Sequence, residues 1–305
     1  MHYRTIISLW ALSILATPVI AQDLSDAEIS TVPVADGIYM LTGPGGNIGL
    51  SVGDDGAFLI DDQFAPLTDK IMAAVAALTD KPVEFLVNTH FHGDHVGGNE
   101  SFGKAGSVII AHENARHRLT TKQVIAAFGM EMEPAPLEAL PVVTFPGTIT
   151  VHYNGDVITV FHAKHAHTDG DAIIHFQKAN VIHAGDIVFN GFYPFIDASN
   201  GGNIHGVIHA VNAILELCDE ETRIIPGHGG VASREDLVAY REMLMVVYAR
   251  IQSMLEQGMS VEQIVGAKPT ADYDTQYGQG IFKPDQWVGL VASGMAEHQP
   301  DQGMH

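Results

Sequence analysis

Thr89-His90-Phe91-His92-Gly93-Asp94-His95-Val96-Gly97-Gly98-Asn99 follows directly on an apolar run, Val83 to Val87, that reads as a short buried strand. Three imidazoles and a carboxylate fall between His90 and His95, with glycines around them. Imidazole suits zinc and other borderline metals, and a carboxylate widens the choice toward harder ones. In an extended or tightly turned loop, His90 and His92 point the same way. Asp94 and His95 then swing to a second point a few ångströms off. That arrangement suits two adjacent metals better than one.

Working outward from this loop, a two-metal site needs further donors at other strand ends, and three candidates stand where a strand gives way to a loop. His167 lies in Ala166-His167-Thr168-Asp169-Gly170-Asp171, Asp186 in His183-Ala184-Gly185-Asp186, and His228 in Pro226-Gly227-His228-Gly229. Such positions are where α/β architectures place chemistry. Taken together and in this order, the four motifs resemble the signature of the metallo-β-lactamase superfamily, over a stretch from the Asn47 to Ala57 hairpin through Pro226-Gly227-His228-Gly229. The resemblance implies a four-layered αβ/βα sandwich and two zinc ions as cofactors. It puts His90, His92 and His167 on one zinc, Asp94, His95 and His228 on the other, and Asp186 between them. Asp94 is then both ligand and orienter of a metal-bound hydroxide that attacks a carbonyl carbon. A flavodiiron-type site resembles this loop but has a glutamate where His92 stands, and the nitrogen-rich donor set favours zinc over iron.

The remaining histidines take simpler roles. His162 and His165 crowd His167 as neighbours of the ligand shell, with the Thr168-Asp169-Gly170-Asp171 context singling out His167 as the donor. His205 and His209 stand one helical turn apart, away from the apolar stripe, and read as a solvated pair. His175 and His183 sit inside apolar strands as hydrogen-bonded core residues.

The chain has 305 residues, 46% of them hydrophobic, enough for one large core or two small ones. Residues 1–21 read as an export signal: Arg4, then an apolar run from Ile6 to Leu15, then Val19-Ile20-Ala21 as a small-residue cleavage site. A single domain over residues 22–305, periplasmic or secreted, is the expectation. No other stretch is apolar and long enough to span a bilayer. The formal net charge is −21, with 36 acidic residues against 15 basic ones. Such a surface repels phosphate backbones, which excludes nucleic acid as the expected partner. Cys218 is the only cysteine, so no intramolecular disulfide can form; it falls on an apolar helical face as buried filler.

Periodicity reaches α/β and no further. Strands are expected at 37–41, 47–52 and 57–61, the last two flanking Asp54-Asp55-Gly56, and a helix at 67–78. After the metal-type loop come a strand at 107–111 and a helix from His112 to about Phe128. The segment 130–146, with four prolines, reads as an irregular connector or flap. A second half restarts with strands at 148–153 and 157–161 around Asn154-Gly155-Asp156, followed by strands at 172–176 and 180–184. The stripe Ile204 to Cys218 is a helix, 223–225 a strand, and Ser233 to Gln257 a long helix stopped by Gly258. Ser260 with Gln263 caps a further helix, and a last one begins near Pro284.

The substrate expected is a small carbonyl compound: a β-lactam, a lactone, or another cyclic amide or ester. The best-known β-lactamase subclass has cysteine where Asp186 stands and a lysine where Phe189 stands. Asp186 instead resembles the bridging aspartate of glyoxalase II and lactonases. No lysine or arginine lies between Lys178 and Arg223, so a local carboxylate clamp is missing. The aromatic run Phe189-Asn190-Gly191-Phe192-Tyr193-Pro194-Phe195 is expected to wall the site, with Phe192, Tyr193 and Phe195 meeting the substrate. A glyoxalase II-like thioesterase and a non-catalytic periplasmic metal-binding accessory protein are the alternatives. Oligomeric state is not legible.

Overall fold

The computed structural model describes residues 24–297; the export segment expected over 1–21 lies outside the described residues. Ser30–Ala35 (β1) opens the first sheet, a strand hidden from sequence reading by Pro33 and by side chains that are at best half-buried. Ile38–Thr42 (β2), Ile48–Val52 (β3) and Ala57–Ile60 (β4) continue it as an antiparallel meander, the last two turning at Asp54-Asp55-Gly56 as expected. Val83–Val87 (β5) and Val108–His112 (β6) then add in parallel. Gln123–Ile125 (β7) and Met130–Met132 (β8) pair only with each other, as a ribbon, while Val143–Phe145 (β9) closes the sheet beside β6.

The second sheet follows the same plan. Thr148–Tyr153 (β10), Asp156–Ala163 (β11), Asp171–Phe176 (β12) and Val181–Phe189 (β13) run antiparallel, Arg223–His228 (β14) lies parallel to β13, and Ala232–Ser233 (β15) ends it. Alternation along each strand sorts the side chains between layers. On β4, Phe58 and Ile60 meet Ile174, Phe176 and Ile225 in the space between the sheets. Ala57 and Leu59 face the other way, onto Leu67, Ile71 and Val75 of the helical segment there. On the far face of the second sheet, Ile173 and Ile182 pack against helices Ile204–Leu217, Arg234–Glu256 and Pro284–Glu297. The layer order is helix, sheet, sheet, helix, the αβ/βα sandwich that the motifs imply.

Several helix boundaries follow local chemistry. Ser233 caps Arg234–Glu256 with Asp236 in a reciprocal box, and Ser260 does so with Gln263 for Val261–Ala267. Cys218 is the half-buried residue just past Leu217, and burial pushes its thiol up to about 11, which leaves it inert.

The expected helix from His112 to Phe128 is the main correction. The helix spans only Glu113–Leu119. Thr120 and Thr121 turn their hydroxyls back onto the His117 carbonyl, and the chain leaves to form the β7–β8 ribbon. What holds the ribbon is remote: the Val124 carbonyl accepts from Asn200 Nδ2 at 3.0 Å, and the Ala126 amide donates to Ser199 Oγ at 3.4 Å. The proline-rich segment that follows is irregular as expected, except that β9 docks as an edge strand. The strand expected at 180–184 also runs on, through an irregularity at Gly185, to Phe189.

Candidate metal centre

After β5 the chain bends at Thr89–His90, is extended again at His92 and then makes one helical turn over Gly93–Val96, where the His95 and Val96 amides donate to the His92 carbonyl. Phe91 faces the core, fully buried, so His90 and His92 share the opposite side. His167 arrives on the loop after β11, Asp186 from within β13, and His228 from the end of β14. Gly185 has φ +51°, which turns the backbone so that Asp186 faces the first sheet. Gly227 admits Asp186 from the next strand, since a Cβ there would lie 2.0 Å from Asp186 Oδ1.

These seven side chains form two adjoining donor groups. His90, His92, His167 and Asp186 make one; Asp94, His95 and His228 make the other. Asp186 reaches both. Its Oδ2 lies 3.6 Å from His167 Nε2, and its Oδ1 lies 3.0 Å from His95 Nε2. His228 Nε2 is 3.4 Å from Asp94 Oδ2 and 3.5 Å from Asp186 Oδ2.

The outer hydrogen bonds decide which nitrogens face inward. The His167 Nδ1–H donates to the Phe195 carbonyl at 2.8 Å, which leaves Nε2 bare. His92 donates through Nε2 to Asp197 Oδ2 at 3.0 Å, and its Nδ1 is the bare atom. The Thr89 hydroxyl gives its one proton to Asp61 Oδ2 at 2.7 Å and so accepts from His90 Nδ1 at 3.0 Å. Three bare nitrogens then converge: His92 Nδ1 lies 3.1 Å from His90 Nε2 and 2.9 Å from His167 Nε2. No proton is left to lie between them. Four donors around zinc at about 2.0–2.1 Å would sit about 3.3 Å apart, close to this spacing. The donor set therefore fits a small cation.

The second group makes the same point through charge. His95 Nδ1 donates to Asp61 Oδ2 at 2.8 Å, while its Nε2 and Asp186 Oδ1 are buried without a hydrogen-bond partner despite their 3.0 Å separation. Both atoms are aimed at a third point. Burial disfavours a charged His95, yet Asp186, Asp94 and Asp61 raise its pKa well above the ordinary value. Burial opposes a charged His228 too, and Asp186 and Asp94 carry it up to about 9. Across the gap, burial and then the neighbouring His95 and His167 hold His90 far below its ordinary value, and burial takes His167 down to about 4. Carboxylates gathered on one side call for positive charge, and neutral imidazoles on the other offer lone pairs to it.

Two holding residues escape sequence reading. Asp61 adopts φ +61° and spends both oxygens on the loop, taking the Thr89 amide at 2.7 Å as well as the bonds already described. An acidic pair, Asp61-Asp62, at the end of a fully apolar strand was the available signal. Asp197, the partner of His92, is held by Ser199 Oγ at 2.5 Å and Asn200 Nδ2 at 2.7 Å, and nothing in its sequence context marks it. Asn200 also accepts from Arg118 at 2.6 Å, and Arg118 grips Asp169 with two nitrogens.

The aromatic run divides. Phe195 is buried against His92, ring centroids 5.7 Å apart, and walls the cavity beside the donors. Phe189 stacks on His228 at 4.9 Å. Tyr193 enters only the wall of a smaller cavity beside the donors, and its ring and hydroxyl are tied into the core. It is 2% exposed, stacks on Trp287 at 4.4 Å, and donates its hydroxyl to Asp274 at 2.9 Å. Phe192 lines the same smaller cavity, against Gly280. Among the other histidines, His162 stacks on His112 at 3.7 Å, and His165 bonds the Gly201 carbonyl, outside both donor groups. His183 is a core residue bonded to the Asn47 carbonyl, and His175 is half-buried. His205 and His209 lie exposed with rings 4.6 Å apart.

A family model described as the metallo-beta-lactamase superfamily matches residues 41–228. A hydroxyacylglutathione hydrolase from Nitrosococcus oceani is 25% identical over 195 residues, covering 62% of this chain and 66% of that protein, just under two thirds of its length. The alpha subunit of a 2,4-dinitroanisole O-demethylase from Nocardioides sp. is 22% identical over 281 residues, 90% of this chain and 81% of its own. Among solved structures, a metallo-beta-lactamase from Pontibacter korlensis superposes with a TM-score of 0.58 at 17% identity, over 72% of this chain and 99% of that one. A stereoselective inverting sec-alkylsulfatase from Pseudomonas sp. gives 0.65 at 16%, over 87% and 50%.

Proposed function

The chain belongs to the metallo-β-lactamase superfamily, and from that premise we propose that it is a dinuclear zinc hydrolase that opens an ester, thioester, lactone or cyclic amide. The observation that supports this most directly is the convergence of three bare imidazole nitrogens, His90 Nε2 and His167 Nε2 both within 3.1 Å of His92 Nδ1, each ring with its outer nitrogen tied down. His90, His92 and His167 would hold one ion and Asp94, His95 and His228 the other, with Asp186 within reach of both groups. Two such ions supply a water acidic enough to attack near neutral pH and a Lewis acid for the carbonyl.

The chain's own residues do the rest. Asp94 lies in the cavity wall, 28% exposed, and although burial opposes its charge, His95 and His228 take its pKa down to about 2. It is ionised at working pH and accepts a hydrogen bond, orienting the attacking water toward the substrate. Phe189 and Phe195 flank the donors and exclude other water. Asp61 and Asp197 fix the rings of His95 and His92 against rotation.

A thioesterase is the second reading, favoured by the relative named hydroxyacylglutathione hydrolase and by the way Asp186 faces both donor groups. The export reading of residues 1–21 places the work outside the cytoplasm, and the N-terminal sequence of protein recovered from the periplasm tests it. For the activity, metal content is measured alongside turnover of chromogenic β-lactam, lactone, ester and thioester substrates. Two zinc ions with hydrolysis, both lost in His92→Ala, are expected. Tight zinc without turnover of any of these would instead support a metal-binding accessory role, and full activity in His92→Ala would overturn the assignment.

A further inference from the structure

The donors open into two cavities whose walls, among the described residues, carry no lysine or arginine. The larger, about 240 Å³, runs under the β7–β8 ribbon against Phe64, Ile125, Phe128, Met130 and Met132. The smaller, about 110 Å³, lies against Phe192, Tyr193 and Phe282. Phe189, Phe195, His228 and Ile281 belong to both walls, so the two meet beside His228. Three rings from three chain segments gather where they divide: Phe128 is 4.9 Å from Phe195 and 5.4 Å from Phe282, and Phe195 is 5.7 Å from Phe282.

The polar side chains are as telling as the apolar ones. Beyond the donors themselves, Tyr193 is the one hydrogen-bonding side chain among the described residues of either wall, and its hydroxyl proton is already given to Asp274 at 2.9 Å. Away from the donors, a carboxylate carried into the apolar part of either cavity would lose its hydration with no partner in return among the described residues. An alkyl or aryl group would gain, and the half-exposed Met130 and Ile281 at the mouth make an apolar entrance for it.

Building on the hydrolase reading above, we propose that the substrate is uncharged and carries an apolar group on each side of the scissile carbonyl. The longer group lies under the ribbon, and the shorter lies against Phe192 and Phe282.

The test uses the zinc-loaded protein and p-nitrophenyl esters from acetate to octanoate, each longer ester paired with one of equal length ending in a carboxylate. Uncharged aryl alkyl ketones of the same lengths, and their carboxylated counterparts, serve as unreactive ligands in calorimetry. Expected is a rise of up to about fourfold per methylene in kcat/KM and in affinity, levelling off once the larger cavity is full. The carboxylated partners should fall about a hundredfold below the neutral ones. Met132→Lys should narrow that gap at least tenfold, with Met132→Leu leaving it in place. Ketone affinity that rises with length in a protein that hydrolyses none of the esters supports the two-armed site and discards the hydrolase reading. Hydrolysis with no dependence on length does the reverse. Carboxylated ligands that match their neutral partners, in either series, overturn the proposal.

Discussion

Thr89 has one proton to give, and Asp61 takes it; that choice leaves His90 Nε2 bare toward the donor cluster. The same carboxylate accepts from His95, so a single side chain sets the orientation of a ligand in each group. Asp61→Asn preserves size and tolerates the left-handed backbone, but its amide nitrogen cannot accept from Thr89 or His95. Zinc affinity is expected to drop about 10- to 100-fold, read by chelator competition, with the fold retained in circular dichroism. Tyr193 works the other way. Tyr193→Phe removes the bond to Asp274 and should cost about 1 kcal/mol in thermal or denaturant unfolding, with metal content and substrate preference unchanged. The sequence showed His90, His92, Asp94 and His95 as donors because their chemistry is carried by residue type within one short loop. It could not show Asp61 or Asp197 as holders, because each acts on a partner brought to it by the fold, 34 and 105 positions away.

Two elements position what those residues hold. The irregularity at Gly185 sits between the register pairs His183–Ile225 and Gly185–Pro226, and it turns Asp186 toward the first sheet. A Cβ on Gly185 would meet Thr89 Cβ at 2.8 Å while also imposing a side chain on a backbone at φ +51°. Gly185→Ala is expected to destabilise by about 1–3 kcal/mol and to lower bound zinc below two per chain, measured by unfolding and by elemental analysis. The ribbon is the second element. Asn200 joins the Val124 carbonyl of the ribbon, the Arg118 guanidinium and Asp197. Asn200→Ala should therefore speed proteolytic cleavage between residues 123 and 132 while lowering the melting temperature, at a cost of about 1–3 kcal/mol. Periodicity misread this region as helix because Val124, Ile125 and Phe128 are spaced like a helical stripe, and only the Ser199–Asn200 turn, distant in sequence, supplies the competing hydrogen bonds.

For the whole molecule, the charge arrangement at the sheet ends ties stability to pH and to metal. In the metal-free protein His228 is raised to about 9 and His95 is raised too, so their contribution is full below about 6.5 and lost as pH climbs through 9. His167 and His183 are lowered to about 4 by burial, so theirs is full above about 6.5 and lost as pH falls through 4. The metal-free melting temperature should peak near pH 6.5 and decline on both sides; zinc should raise it and flatten the alkaline limb, where the histidines then have no proton to lose. Scanning calorimetry with chelator or with zinc checks both limbs, and an unchanged alkaline limb with zinc would contradict the placement of His95 and His228 in the donor set. The sequence by itself determined the α/β alternation, the hairpins at Asp54-Asp55-Gly56 and Asn154-Gly155-Asp156, the capped helices and the four donors of the His90 to His95 loop, because turn chemistry, caps and metal-type side chains act through residues close together in the chain; His167, Asp186 and His228 were legible only through the family resemblance. Only the tertiary structure decided which nitrogen of each histidine faces inward, that Tyr193 ties its hydroxyl into the core from the smaller cavity's wall while Phe195 borders both cavities, and that the ribbon and the 280–282 loop close two apolar chambers over the donors. Those features depend on hydrogen bonds and ring contacts between segments up to about a hundred positions apart, and no local pattern in the chain records them.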